Sequence, residues 1–134
     1  MEKRFKRWQK PRFSREGMKK WHWKCQHYKN LEIGRNVDIG SFTYLNAKRG
    51  IALGDYVQIG SHCSLYSIST IDGKEGAISI GKNAKVGSHS IIMPGVTIGD
   101  NSVIGAFSFV NKDIPPNAIA YGIPARVISK IPGR

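Results

Sequence analysis

A strict period of six residues runs through the chain from residue 80 to residue 110. The stretch divides into IGKNAK, VGSHSI, IMPGVT, IGDNSV and IGAFSF, each led by an aliphatic residue, with a small or β-branched residue fifth. Neither the helical period of 3.6 residues nor the alternation of a strand produces a repeat of six. Hexapeptide repeats are typical of parallel β-helices. The sequence therefore predicts an all-β solenoid.

Glycine at the second place of the hexads sets the size of one coil. The hexads begin at Ile33, and glycine is present in two successive hexads and absent from the third. One coil is therefore three hexads, and about four coils stack around a triangular section. Glycine suits two of the corners, where the chain turns tightly or takes a positive φ. Two insertions, Ile51-Ala52 and roughly residues 71–79, follow the third corner.

The residues that lead the hexads are predicted to fill the core. Coils pair through their backbones at about 4.8 Å, so leaders of equivalent hexads stack on three inward walls. They are Ile33, Leu53, Ile80 and Ile98 on the first wall, Ile39, Ile59, Val86 and Ile104 on the second, and Leu45, Leu65, Ile92 and Val110 on the third. Four coils make a prism only about 20 Å tall by this spacing. We therefore expect an oligomer that buries one wall.

The net charge of +12 is concentrated in the first 30 residues, which hold eleven Lys or Arg and two Glu, or +9. We expect residues 1–30 to be a basic, aromatic segment or cap, and residues 31–134 to be the β-helix with a C-terminal tail. A helix is expected from Ser14 toward Asn30, with its apolar face covering the first coil. The second interpretation is peripheral contact with an anionic membrane through residues 1–30. The third is nucleic-acid binding, and no nucleic-acid partner is expected.

Composition also indicates in which cellular compartment the protein is expected. The two cysteines, Cys25 and Cys63, are too few for a disulfide framework and fit idle thiols in a reducing cytosol. The sequence has no apolar run of 18 residues, and its start, MEKRFKRWQKPRF, has no apolar segment behind its charges. These features predict neither a transmembrane helix nor a secretory signal. We expect a cytoplasmic protein.

The stretch VGSHSIIMPGVTIGDNSVIGAFSFVNKDIPPNAIAYGIPARVISK resembles the C-terminal half of the hexapeptide-repeat acyltransferases of the galactoside/maltose/xenobiotic O-acetyltransferase superfamily. Its closing NKDIPPN and GIPARVI are highly specific to that superfamily, and the resemblance covers roughly residues 31–130. The resemblance implies a left-handed parallel β-helix, against the usual crossover rule. It also implies a homotrimer that holds acetyl-CoA, its co-substrate, between subunits. The implied activity is acetyl transfer to a sugar, a sugar nucleotide or a related small hydroxyl or amine acceptor.

The resemblance assigns five residues to the acetyl-CoA site: Ser88, Ala106, Asn111, Lys112 and Arg126. The small residues that follow second-wall glycines line the pantetheine groove in relatives, which implies Ser88 and Ala106, with Ser61 one coil earlier. Asn111 and Lys112 take the place of a polar residue and a lysine that face the cofactor. Arg126 takes the place of a base near the phosphates, which favour cations.

Relatives carry a catalytic histidine in a loop where this chain has Thr70, and a threonine hydroxyl is too weak a base at neutral pH. The candidate catalytic residues are His62 and His89, which hold the fourth place of second-wall hexads and are expected to stack between Phe42 and Phe107. Histidine suits general-base work near neutral pH. For His89 a structural role is preferred, and for His62 both roles stay open.

Two other functions remain open. The missing loop histidine allows a catalytically silent trimer that binds or scaffolds. A metalloenzyme similar to γ-class carbonic anhydrases would need three zinc-binding histidines on the solenoid. The His-x4-His pair, His22 and His27, precedes the hexads, so we expect no metal site.

Overall fold

The computed structural model describes residues 4–12 and 22–132. This part of the chain is an all-β solenoid of about five turns with almost no helix, consistent with the predicted left-handed β-helix. In order, its elements are β1 Lys24–Gln26, a 3₁₀ turn Tyr28–Asn30, β2 Leu31–Ile33, β3 Asp38–Ile39, β4 Tyr44–Asn46, β5 Ile51–Leu53, β6 Gln58–Ile59, β7 Ser64–Tyr66, β8 Ile68–Ser69, β9 Lys74–Glu75, β10 Ile78–Ile80, β11 Lys85–Val86, β12 Ile91–Ile92, β13 Thr97–Ile98, β14 Val103–Ile104, β15 Phe109–Val110, β16 Ala118–Gly122 and β17 Ala125–Lys130.

Three parallel sheets form the walls of the prism. The first wall is β2-β5-β10-β13, the second is β3-β6-β11-β14-β16 closed by antiparallel β17, and the third is β1-β4-β7-β12-β15. Leaders pair with leaders in every wall, as Ile59 does with Val86 in the second and Leu65 with Ile92 in the third. The predicted hexad alignment is therefore confirmed. The second and third walls each carry a fifth parallel strand beyond the four predicted coils.

The expected positive φ lies at the fourth place of the hexads, not at the second-place glycines. His62 and Asn83, for example, have φ of 57° and 60°. The second-place glycines are needed for a different reason, because successive coils approach closely there. A Cβ added at Gly87 would lie 2.5 Å from the backbone nitrogen of Ala106. Steric contact between coils, and not backbone torsion, thus explains the glycine pattern.

The helix expected from Ser14 toward Asn30 is wrong for residues 22–30, and residues 14–21 lie outside the described chain. Cys25 pairs with the leader Leu45 in a parallel ladder, and a single 3₁₀ turn follows. The apolar spacing that suggested a helical face belongs instead to a strand that extends the third wall. Pairing with the exposed edge of β4 overrides a weak local preference, as tertiary context often does.

The described N-terminal residues pack on the first coil. The indole N–H of Trp8 donates to the carbonyl of Val37 at 2.8 Å, and Trp23 is only 3% exposed. Arg4 pairs with Asp38 at 3.1 Å, and burial raises the pKa of Asp38. These contacts support the capping interpretation. No helix in the described ranges has the length and apolar character needed to span a bilayer.

Both predicted insertions are placed differently. Ile51-Ala52 belongs to β5, and Ile78 already lies in β10, where it pairs with Ile51. Three first-wall strands, β2, β5 and β10, begin two residues before their leaders, which keeps both aliphatic side chains inward. The real protrusion is the antiparallel hairpin β8–β9, with Ile71 fully exposed near its tip.

Candidate functional site

A ladder of four aromatic rings runs along the corner between the second and third walls. The rings of His62 and His89 are parallel within 1° at a centroid distance of 4.7 Å. Phe107 continues the stack at 4.7 Å from His89, and Phe42 lies 5.1 Å from His62. The predicted stacking is confirmed, and we call these four residues the aromatic ladder.

The backbone holds the two imidazoles outward. Both histidines have left-handed backbone, and their N–H groups donate to Ser41 and Ser61 of the preceding coil, each at 3.0 Å. Both side chains are exposed. Within the described residues neither imidazole makes a hydrogen bond or an ion pair. Each ring therefore has a free nitrogen that can accept a proton from a bound molecule.

A strip of small residues lies one position before the ladder. Ser61, Ser88 and Ala106 follow the second-wall glycines on successive coils, and their backbone N–H groups find no acceptor among the described residues. The equivalent first-wall N–H groups of Arg35 and Lys82 are satisfied, each by an aspartate carboxylate at 2.9 Å. Because serine and alanine stand where the first wall has aspartate, the strip keeps three backbone donors for a ligand.

The remaining predicted cofactor residues lie on two different corners. Arg126 is exposed on β17 and pairs with Tyr121; a Cβ on Gly105 would lie 2.8 Å from the Cβ of Tyr121, at the end of the strip. Asn111 and Lys112 are exposed after β15, across the third wall. Ala106 lies at the corner between the second and third walls, and Lys112 follows β15 at the corner between the third and first walls. One chain therefore groups Ser88, Ala106 and Arg126 but not Asn111 and Lys112.

The structure adds a polar and aromatic patch that the sequence analysis assigned no role. The hydroxyl of Tyr44 contacts the Gln26 Oε1, the Asn46 Nδ2 lies 3.3 Å from that hydroxyl, and the Tyr44 and Tyr66 rings are 5.8 Å apart. Burial raises the pKa of Tyr44, which keeps its hydroxyl neutral. The sequence signal was present, since Asn46 and Tyr66 replace glycine at the second place of third-wall hexads. We call these four residues the third-wall patch.

The hairpin beside this patch offers no strong base. Thr70 lies in its turn. Hydrogen bonds from Ser69 and from the backbone N–H of Lys74 hold the pKa of Asp72 below its usual value, so its carboxylate is a weak base. Arg49 pairs with Glu75 at 3.2 Å and ties the hairpin to the preceding coil. The turn interpretation of Asp72 therefore fits better than a catalytic one.

The thiols and metal-ligating residues do not add a second centre in the described chain. Burial raises the pKa of Cys25 to about 12 and also raises the pKa of Cys63, which disfavours both thiolates. Thiolates are the reactive form of cysteine. Among the residues described, no three His, Cys, Asp or Glu side chains come together in a way that could hold a metal ion.

Comparison with known proteins gives four likenesses. Residues 77–112 match the family model described as bacterial transferase hexapeptide (six repeats). The chain is 43% identical over 114 residues to the galactoside O-acetyltransferase of Escherichia coli K12, aligned over 78% of this chain and 56% of that protein. A solved galactoside acetyltransferase in complex with coenzyme A superposes with a TM-score of 0.73 at 39% identity, over 81% of this chain and 58% of that one.

A hexapeptide-repeat acetyltransferase of Vibrio cholerae complexed with acetyl coenzyme A superposes with a TM-score of 0.77 at 29% identity, over 83% of this chain and 66% of that one. The solenoid and its corner residues thus define a hexapeptide-repeat protein. The likenesses support the acyltransferase superfamily that the sequence resembles. The chain spans little more than half the length of the E. coli relative.

Proposed function

We propose that this protein is an acetyl-CoA-dependent acetyltransferase that acts on a sugar, a sugar nucleotide or a related small hydroxyl or amine acceptor. The observation that carries the proposal is the strip of three free backbone N–H groups beside two unpaired imidazoles. The similar proteins are galactoside acetyltransferases, and solved neighbours hold coenzyme A or acetyl coenzyme A.

The strip fits the pantetheine arm of acetyl-CoA. That arm carries amide carbonyls, which accept hydrogen bonds, and the N–H groups of Ser61, Ser88 and Ala106 repeat at about 4.8 Å along the coils. The small side chains leave room for the arm to lie against the backbone. Arg126 stands at the Tyr121 end of the strip, where its guanidinium can meet a phosphate.

His62 is the proposed general base. The acceptor hydroxyl attacks the thioester carbonyl, a C–O bond forms, the C–S bond breaks, and the imidazole takes the hydroxyl proton and returns one to the leaving thiolate. The acetylated acceptor and CoA thiol result, so the histidine ends unchanged. His89 stacks on His62 and holds its ring orientation. An amine acceptor loses its proton to water and needs no histidine.

The third-wall patch suits an acceptor with several hydroxyl groups. It combines a phenol, two amides and an aromatic ring face, and sugars offer both hydrogen-bonding hydroxyls and apolar C–H surfaces. The patch and the aromatic ladder flank the same wall, since His62 and Tyr66 are four residues apart on one strand and its corner, at most about 14 Å.

We infer that the active form is a homotrimer. Lys112 and Ala106 lie on different corners of one chain, and a cofactor held between two copies can meet Ala106 of one copy and Lys112 of the other. A thin prism also gains from burying a wall. Sedimentation equilibrium should return three chains at micromolar concentration, and a stable monomer would exclude the shared site. We also infer a cytoplasmic location, where the unpaired Cys25 and Cys63 stay reduced.

A thiol-release assay with acetyl-CoA and a panel of sugars, amino sugars and sugar nucleotides tests the activity. We expect acceptor-dependent release of CoA with at least one class. Arg126→Ala should weaken CoA binding by about tenfold to a hundredfold, the worth of a charge-assisted hydrogen bond, while Lys82→Ala, an exposed first-wall cation, should leave it unchanged. Calorimetric CoA binding without any turnover would favour the second candidate, a silent binding trimer, which the absence of a histidine at Thr70 supports.

A further inference from the structure

The described residues of the N-terminal segment, which cap the first coil, carry positive charge without a carboxylate among them. Residues 4–12 and 22–30 contain no Asp or Glu. Their seven cations are all exposed: Arg4, Lys6, Arg7, Lys10, Arg12, Lys24 and Lys29. Among them, in the described chain, Arg4 alone has an ion pair, with Asp38 at 3.1 Å. We call these seven residues the basic end.

The basic end is held in place on the fold. Trp8 packs on the core and donates to the carbonyl of Val37, which adjoins β3, the outermost strand of the second wall. Lys24 lies on β1, the outermost strand of the third wall, and Lys29 lies in the 3₁₀ turn between β1 and β2. The cations therefore cluster where the first coil ends the prism, and they keep that arrangement because the tryptophan fixes the arm.

We propose that the basic end docks on an anionic phospholipid membrane. Uncompensated cations at one site repel one another and lower stability, unless a partner of opposite charge is present. An anionic bilayer strengthens binding by about fivefold for each Lys or Arg near its surface. The homotrimer, which rests on the proposed function, has three-fold symmetry, and this rotation leaves equivalent residues at the same height along the axis. The three basic ends therefore lie in one plane and can face a flat membrane together.

The packing of the aromatic residues favours a membrane over a nucleic acid. Sequence-independent binding of single strands relies on aromatic rings that stack on bases. Trp23 is 3% exposed and Trp8 is half-buried against the first coil, so neither indole is offered for stacking. Tyr28 is 45% exposed, but all seven cations of the basic end are exposed, so charge dominates this surface. Such a surface suits phospholipid headgroups and predicts binding that falls steeply with salt.

The test is co-sedimentation of the full chain with vesicles at about 0.1 M salt, near the ionic strength at which charges more than about 10 Å apart are screened. One set of vesicles is phosphatidylcholine and the other contains phosphatidylglycerol as well. Lys6→Gln/Lys10→Gln removes two arm cations, and Lys74→Gln/Lys82→Gln is the matched control on other exposed lysines. We expect binding to the anionic vesicles alone and unchanged binding for the control. The arm variant should bind at least about 25-fold more weakly, which is the fivefold factor for each of the two cations removed from one chain.

Equal binding to both vesicle types, or equal loss in both variants, would overturn the proposal. Binding to a single-stranded oligonucleotide, with no binding to anionic vesicles at the same salt, would replace the membrane by a nucleic acid. Thiol release measured on the same variants with a freely diffusing acceptor separates this proposal from the acetyltransferase proposal. The arm variant should turn over normally, because its substitutions lie away from the strip and the aromatic ladder.

Discussion

The fourth place of the hexads imposes a backbone requirement on the proposed base. His62 has φ of 57°. The corresponding place between the first and second walls is held by asparagine in four coils and by Tyr56 in the other, all with φ between 54° and 63°. The four asparagines are Asn36, Asn83, Asn101 and Asn117. Asparagine tolerates this left-handed conformation better than most residues. It is therefore the substitution that removes the imidazole while keeping the corner.

We predict that His62→Asn lowers turnover by about 10²–10⁴-fold, the usual worth of general-base catalysis, with CoA affinity and melting temperature close to those of the wild type. His62→Ala is a less clean test, because alanine lacks the preference for left-handed backbone that asparagine and histidine share. His89→Asn is the control for loss of stacking and should cost less. Turnover of His62→Asn near the wild-type value would remove the base assignment and favour an amine acceptor.

The sequence predicted which side chains lie next to one another, but it did not predict their hydrogen bonds. Once three hexads are known to make one coil, residues at the same place must superimpose, so the stacking of His62 on His89 followed directly. The free N–H groups of the strip could not be foreseen, because they depend on whether the next coil offers an acceptor. The third-wall patch was missed because Tyr44 contacts Gln26 of β1, and the sequence predicted a helix where that strand lies.

Strands of two or three residues have little stability alone. Each short strand of this fold is therefore held in place by its leader, the aliphatic side chain that it buries in the core. Val86 and Ile104 pair across the second wall and are 2% and 1% exposed. The side chain next to Ile104, Val103, faces outward and is half-buried. One strand thus contains a core position and a matched surface position.

We predict that Val86→Asp or Ile104→Asp lowers the free energy of unfolding by about 3 kcal/mol or more, because each buries an unpaired carboxylate. Val103→Asp introduces the same charge on the outer face and should cost much less. Thermal denaturation followed by circular dichroism measures the difference. If the leader variants had the same melting temperature as Val103→Asp, the inward orientation of the leaders would be refuted.

The contact between coils at Gly87, the residue after β11, predicts a second effect on stability. Gly87→Ala places a Cβ 2.5 Å from the Ala106 nitrogen, and the resulting overpacking should cost about 1–3 kcal/mol. Gly73 in the hairpin has φ of 73° and nothing within 4 Å of an added Cβ, so Gly73→Ala measures torsional strain alone. Equal destabilisation by both substitutions, measured by urea titration, would contradict the steric explanation.

The strand at Lys24–Gln26 contradicts the helix that its local sequence pattern predicts. Met18, Trp21, Cys25 and Tyr28 have helical spacing in the sequence, yet Cys25 lies 20 residues before Leu45, and the two pair directly. The edge of a growing solenoid recruits any nearby extended segment with an inward apolar residue. Local periodicity contains no information about such an edge.

The whole molecule is a short stack whose first coil would otherwise expose its core. Trp8 and Trp23 cover that coil from outside the hexads, and this explains why a repeat protein carries an aromatic arm. The sequence predicted a cap from the general need of solenoid ends. It did not predict that Lys24–Gln26 would extend the third wall as a strand in place of a helix.

We predict that Trp8→Ala lowers the free energy of unfolding by about 2 kcal/mol, roughly half the cost of removing a fully buried tryptophan, because Trp8 is half-buried. Arg7→Ala, on the exposed side of the same arm, should change it by less than about 0.5 kcal/mol. Urea denaturation of the two variants makes the comparison. An unaffected Trp8→Ala variant would mean that the arm adds charge without stabilising the prism.

The reversal of chain direction between β16 and β17 prevents the solenoid from extending through a second molecule. From β3 to β16, each second-wall strand offers the next coil the same parallel bonding pattern that it received. β17 runs antiparallel to β16. Its outer edge therefore does not offer the parallel hydrogen-bonding pattern that β3 of another molecule would need to continue the wall. Near-identical repeats would otherwise join end to end into a fibre. One turn at Ile123-Pro124 thus makes a periodic chain into a particle of defined length.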